Sequence, residues 1–286
     1  MAFRDVYHQQ VALLVRVLPL VAEEHCFALK GGTAINLFHR DMPRLSVDID
    51  LTYLPVAPRQ QSLTEIHAAM LRIAGRVSTA LPGAQVQKTM LRPEGTAVKL
   101  IVRDRGVQIK IEVTPVLRGC VFETERRAVR AVVEEAYGFA EIQTVSFADL
   151  YAGKLVAALD RQHPRDLFDV RELLANEGIG DDLRRAFVVY LISHNRPIAE
   201  VLDPVRQPLH GEFSRGFDGM TAIPVNLTEL EETRESMISI LIGGMPTEHR
   251  RFLLSFDRGE PEWQLLGLLN SQHLPAVLWR QSNLSR

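Results

Sequence analysis

Residues 29–51 read LKGGTAINLFHRDMPRLSVDIDL, and the two ends of this stretch carry the reading of the fold. From Leu45 to Leu51 the residues alternate strictly, with Val47, Ile49 and Leu51 on one face and Ser46, Asp48 and Asp50 on the other. Side chains along a strand point alternately to opposite faces, so the pattern predicts a strand with an apolar back and a wet, acidic front. At the other end, the apolar Phe27 to Leu29 runs into Gly31-Gly32, and TAINLFHR suits a short helix starting beside the glycines. Pro43 and Arg44 close the excursion before the strand.

Upstream, residues 3–24 place Val11, Leu14, Val15, Leu18 and Val21 in a helical rhythm. Downstream, Leu63, Ile66, Met70, Ile73 and Val77 predict a helix over 61–80. Two strands follow, AVKLIVRD and VQIKIEVTP, with a tight hairpin at Arg105-Gly106. In the second, Val107, Ile109, Ile111 and Val113 share a face and leave Lys110 and Glu112 on the other. From Ser146 the pattern turns helical: 147–159 behind a Ser146/Asp149 cap, 164–175 opening on Pro164, then 181–194, 229–242 and 261–270. The Pro- and Gly-rich 203–228 reads as loop, with a short strand at Ile223-Pro224-Val225. The expected organisation is a mixed α/β domain at 1–143, followed at 144–286 by a mainly helical domain that completes the active-site cleft.

Bulk composition narrows the class. Apolar residues make up 46 % and charged residues 24 %, as in an ordinary soluble protein. The formal charge of -2 does not advertise nucleic-acid binding and does not exclude it. Cys26 and Cys120 are too few for a disulfide framework or a zinc site, which fits a reducing compartment. With no signal-peptide cleavage pattern and no apolar run long enough for a span, the expectation is a soluble cytoplasmic protein, a monomer when free.

The chemistry starts from Asp48 and Asp50. Two carboxylates on one face of a strand repel each other unless a cation sits between them, and hard oxygen ligands suit Mg²⁺ or Mn²⁺. Asp-x-Asp alone is common, and a solvated strand with two exposed aspartates is the plain alternative. Gly31-Gly32 adds weight, because glycine lets backbone N–H groups approach a phosphate and Thr33 brings a hydroxyl to the same group. Glu112, on the wet face of a later strand, is placed to complete a metal shell.

Lys154 falls close to the core-facing stripe of its helix when measured from Leu150, Tyr151 and Leu155. It either snorkels along the edge of that stripe or turns its ammonium toward nucleotide phosphates. Arg165, Asp166 and Asp169 follow, the two aspartates sharing a helix face. They either orient Lys154, Arg165 or an attacking hydroxyl, or form an ordinary Asp–Arg pair. His163 is a local cap or an exposed side chain. Arg118, Arg126, Arg127 and Arg130 form the densest basic stretch and Arg184-Arg185 a smaller one; interleaved glutamates make a salt-bridged surface as good a reading as a phosphate track.

Four blocks, LKGGTAINLF at 29–38, RLSVDIDL at 44–51, IKIEVTP at 109–115, and FADLYAGKLVAALDR at 147–161 with RDLFDVREL at 165–173, resemble the AbiEii/AbiGii family of nucleotidyltransferase-like toxins, including the mycobacterial MenT-type enzymes. The resemblance implies a polymerase-beta-like nucleotidyltransferase fold with a mainly helical C-terminal region. It implies a phosphate-gripping turn at Gly31, Gly32 and Thr33 and metal-binding carboxylates at Asp48 and Asp50. Lys154 becomes the nucleotide-contacting lysine; Arg165, beside Asp166, is a further candidate for binding the nucleotide. Asp166 becomes the catalytic aspartate, with Asp169 its structural companion. The third carboxylate is often Asp in the family, and Glu112, with its longer reach, departs from it. Ser46 falls, loosely, where some relatives are phosphorylated by their antitoxin. The activity implied is transfer of a nucleoside monophosphate from NTP to the 3′ acceptor end of tRNA, blocking translation, with a cognate antitoxin as partner. A nucleotidyltransferase acting on a protein or a small molecule, and an NTP-binding protein without turnover, are the alternatives.

Overall fold

The computed structural model describes residues 2–284, with side chains from Asp5 onward; Met1, Ser285 and Arg286, at the outer ends of the two expected domains, lie outside the described residues. The chain divides into two compact units. One comprises Met1–Gly119 with Glu123–Val145, the other Cys120–Phe122 with Ser146–Arg286.

The first unit is built on a seven-stranded mixed sheet in the order β3-β4-β5-β2-β1-β7-β6. Its strands are β1 Phe27–Lys30, β2 Asp48–Tyr53, β3 Gln85–Leu91, β4 Thr96–Asp104, β5 Val107–Arg118, β6 Glu125–Ala128 and β7 Glu141–Thr144. β2 lies at the centre, antiparallel to β1 and parallel to β5. Register places Asp50 opposite Lys30 on one side and Glu112 on the other. The apolar phase of β2 holds as read: Ile49, Leu51 and Tyr53 are fully buried, while Asp48 and Asp50 are half-buried.

Helices α1 Ala2–Ala22 and α3 Arg59–Ala80 pack on the sheet. Val11, Leu14, Leu18 and Val21 of α1 and Ile66, Met70, Ile73 and Val77 of α3 are at most 1 % exposed, and each such side chain contributes about 1.5–3 kcal/mol by leaving water. Glu24, buried just past α1, clamps it to α3 by accepting from Arg72 and Arg76. Burial works to raise the Glu24 pKa, but the two guanidiniums outweigh it and hold the carboxyl below its usual range.

β2 begins at Asp48 instead of Leu45. The last β1–β2 pair is Lys30 with Asp50, because β1 ends where the chain turns into the helical segment Gly31–Thr33 (α2), which continues as a wide π-helical turn, Ala34–His39. The expected hairpin is present, with Arg105 and Gly106 at φ 48 and 82, the double left-handed geometry of a two-residue turn. Edge strands β3 and β6, β7 and the short helix α4 Ala131–Tyr137 were not anticipated.

The second unit is helical: α5 Phe147–Arg161, α6 Pro164–Asn176, α7 Asp181–Ile192, α8 Ile198–Leu202, α9 His210–Gly216, α10 Leu227–Ile238, α11 Thr247–Asp257 and α12 Pro275–Leu284. α5 packs against both α6 and α7. The expected helix at 261–270 is two short 3₁₀ turns, Trp263–Leu265 and Leu269–His273, broken at Gly267 with φ 68. Ile223–Val225 forms no strand, and Pro224 lacks the N–H such a ladder needs. Among the described residues no helix is long and apolar enough to cross a membrane.

Candidate active site

The glycine turn and the acidic strand meet as the alternation requires. Gly31 sits at φ 74, and a Cβ there would lie 2.7 Å from Asp50 Oδ2. The Asp50 carboxylate thus rests against the bare backbone of the turn. Gly32 is equally constrained, since its Cβ would meet Arg44 Nη2 at 2.6 Å and Ser46 Oγ at 2.9 Å. Thr33, fully buried, donates its hydroxyl to the Asp48 carbonyl at 2.5 Å and lies 3.0 Å from Ser46 Oγ. Thr33 therefore fixes the start of β2 and turns its hydroxyl inward. An alanine at Gly31 is expected to cost about 1–3 kcal/mol through backbone strain and to push Asp50 aside, measurable as a lower denaturation midpoint.

The wet face of the sheet carries a charge ladder. Lys110, opposite Asp48 in register, places Nζ 3.7 Å from Asp48 Oδ2 and 3.0 Å from Glu112 Oε2. Lys99 reaches Glu112 Oε1 at 3.2 Å from β4. For Glu112, burial opposes ionisation but Lys110 and then Lys99 override it, so its pKa falls below the usual value. Burial works to lower the Lys110 pKa, and the surrounding carboxylates, Glu112 foremost, raise it above the usual value. Among the described residues no group of three or more His, Cys, Asp or Glu side chains is placed to hold a metal ion. The donor set that fits a hard cation is the Asp48–Asp50 pair beside the glycine cradle, with Glu112 engaged by two lysines.

The second unit gathers the other predicted residues. Lys154, 8 % exposed, donates to Asp166 Oδ1 at 2.7 Å and lies 3.0 Å from Asp169 Oδ2, both aspartates being 1 % exposed. Arg161 grips Asp166 with Nε at 2.6 Å and Nη2 at 3.0 Å, a bidentate fork. The α5 N-terminus is capped by Ser146, which accepts from the Asp149 N–H, and α6 by His163, which accepts from the Arg165 N–H. These caps set the phase that brings Lys154 of α5 onto Asp166 and Asp169 of α6. Arg165 stands apart and donates to the Gly216 carbonyl at 3.2 Å.

Burial works against ionising Asp166, but Lys154 and Arg161 outweigh it and hold its carboxyl well below the ordinary range. The sign for stability follows. A depressed folded pKa contributes stability in full above the unfolded value of about 3.9, and that contribution is lost as pH falls toward the folded pKa. The stability gap between the wild type and Asp166→Asn is therefore expected to be constant from pH 7 to 5 and to shrink below about pH 4, read by urea denaturation at each pH.

Arg44, Lys99, Lys110 and Arg161 belong to these clusters and were not singled out by the sequence. Register alone carried the signal for Lys110, which shares the two-residue phase of Glu112 on β5. Burial, helped by Glu24, pushes the Cys26 thiol up to about 11, away from the reactive thiolate form. Arg126, Arg127 and Arg130 pair with Glu141, Glu125 and Asp41, which makes that stretch a salt-bridged surface.

The family model described as nucleotidyl transferase AbiEii toxin, type IV toxin–antitoxin system, matches residues 12–273. Among solved structures, the chain is similar to MenT4, a nucleotidyltransferase toxin from Mycobacterium tuberculosis H37Rv, with TM-score 0.65 and 17% identity, covering 98% of this chain and 93% of that one. At that identity the likeness bears on the fold. No curated protein matches the chain.

Proposed function

Because the chain belongs to the AbiEii family of nucleotidyltransferase toxins, we propose that it transfers a nucleoside monophosphate from an NTP to the 3′ acceptor end of tRNA, so blocking translation. The observation that carries the reading is the Asp50 carboxylate held against the bare Gly31 backbone, with Asp48 on the same face of β2. Family membership supports nucleotidyl transfer in general, and the tRNA acceptor is our own assignment. Asp48 and Asp50 would hold Mg²⁺ or Mn²⁺, which lowers the pKa of the attacking hydroxyl and neutralises charge at the α-phosphate. The Gly31-Gly32 turn would bring phosphate oxygens beside Asp50 and Arg44, and Thr33 keeps that turn on the strand. Lys154 supplies a positive charge to the triphosphate. Asp166 and Asp169 position that ammonium. Asp166, gripped by two cations and strongly acidic, is a poor proton acceptor, so its part in transfer runs through Lys154. As a member of a toxin–antitoxin family the protein has a cognate antitoxin as its partner.

The test is transfer of each α-labelled NTP to total tRNA with Mg²⁺, resolved on a sequencing gel beside Asp48→Asn. The expected result is label on tRNA with one preferred nucleotide, and a loss of at least about a thousandfold in the variant. Label on a protein or small acceptor instead would remove tRNA from the reading and keep the transferase. Tight NTP binding without transfer to any acceptor would make the protein a binding module.

A further inference from the structure

Arg118 is the member of the basic stretch that the fold buries without an acid. It is 8 % exposed, and among the described residues its Nε and Nη1 find no hydrogen-bond partner. Burial first, then repulsion from Arg59, push its pKa down, and the Tyr53 oxygen works weakly the other way. A buried guanidinium left in this state destabilises the fold unless an anion meets it.

Its position says where that anion would sit. Arg118 is the register partner of Tyr53 across β2 and β5, so the two side chains share one face of the sheet. Tyr53 donates its hydroxyl to Glu65 of α3, which places this face beneath the start of that helix. Arg59 is the first residue of α3, and no side chain caps the helix N-terminus, whose N-cap is Pro58. Uncapped N–H groups at the end of a 22-residue helix, an exposed arginine and a buried arginine thus collect at one place with the same sign. Among the described residues Arg59 pairs with Glu94, at 2.6 Å on a mostly exposed side chain, a pair of little worth that an incoming anion can replace. Arginine's planar fork matches the oxygens of a phosphoryl group.

We propose that Arg118, Arg59 and the first turn of α3 form a binding site for a phosphoryl group. Asp48 and Asp50 alternate with Tyr53 along β2 and point to the opposite face, so the site is distinct from the carboxylate pair. The ligand is either free phosphate or a phosphate carried on a nucleic-acid strand, and the probes separate the two.

The experiment compares thermal midpoints of the wild type and Arg118→Met in EDTA buffer, with inorganic phosphate or with chloride at equal ionic strength. Phosphate at about ten times its dissociation constant is expected to raise the wild type by about 3 °C and to leave Arg118→Met unmoved. In chloride, Arg118→Met is expected to match or exceed the wild type, because an uncompensated buried charge has gone. Arg59→Gln, at an exposed position, is expected to raise the half-saturating phosphate concentration about tenfold. A 5′-phosphorylated ribotrinucleotide that saturates the same shift at lower concentration than phosphate assigns the site to a nucleic-acid strand; equal or weaker binding assigns it to free phosphate. Equal phosphate shifts in wild type and Arg118→Met would overturn the site. So would a variant markedly less stable than wild type in chloride. Were Arg118→Met not to fold, an unchanged half-saturating concentration in Arg59→Gln would overturn it alone.

Discussion

Lys154→Ala is expected to lose about 3–5 kcal/mol of stability together with its transfer activity. The two losses have different origins. Asp166 and Asp169 are both 1 % exposed, and the lysine ammonium is shared between them. Without it, two buried carboxylates lose their shared ammonium, Asp166 keeping its contact with Arg161. Breaking a buried pair by removing one partner is the costly case, whereas removing both charges is much milder. Lys154→Met combined with Asp166→Asn and Asp169→Asn is therefore expected to recover most of the stability while transfer stays absent. Urea midpoints and the labelled-nucleotide assay on both variants separate the structural role from the catalytic one. Recovery of activity in the triple variant would show that the ammonium does not act on the substrate.

The second large effect belongs to Asp149, a residue given no chemical role. Its carboxylate is 1 % exposed and accepts from the Val121 N–H at 2.7 Å, the Phe122 N–H at 3.0 Å, the Ser146 hydroxyl at 2.7 Å and the Tyr190 hydroxyl at 3.1 Å. Burial nevertheless dominates and raises its pKa above the usual value. Asp149→Ala strands two backbone donors and a tyrosine hydroxyl at once. With about 1–3 kcal/mol for each donor left unmet, a loss of at least about 3 kcal/mol is expected. Limited proteolysis reads the local consequence, as faster cleavage around residues 120–122 than in the wild type. Cleavage at the wild-type rate with an unchanged urea midpoint would mean that water replaces the carboxylate at no cost.

What could be read from the chain depended on whether a residue's surroundings are written in its near neighbours. The phase of β2 was legible because Ile49 and Leu51 alternate with Asp48 and Asp50 within a single strand. Lys154 could be placed near the buried stripe because 3.6-residue geometry ties it to Leu150, Tyr151 and Leu155. Edge strands β3 and β6 were illegible for the opposite reason. Gln85–Leu91 is exposed along most of its length and Glu125–Ala128 is almost all charge, so neither carries a buried face to alternate against. Pairing with β4 and β7 makes them strands. The partners of the site residues were hidden in the same way. Arg44 against Gly32, Lys110 between Asp48 and Glu112, and Arg161 on Asp166 are all contacts of tertiary structure. Sequence separation says nothing of them in advance.

Asp149 holds Val121 and Phe122 of the Cys120–Phe122 segment, whose neighbours Gly119 and Glu123 are on the other unit, and this gives the chain a genetic property. The path passes from the first unit to the second at residue 120, back at 123, and over again at 146. A recombination event with a single crossover near residue 145 would deliver a helical half whose Asp149 faces a 120–122 segment inherited from the other parent. Halves of this protein can therefore be shuffled between relatives only when that short segment travels with α5, or when both parents spell it alike. Chimeras joined at 145 alone are expected to be selected for compatibility at 120–122 before any other position.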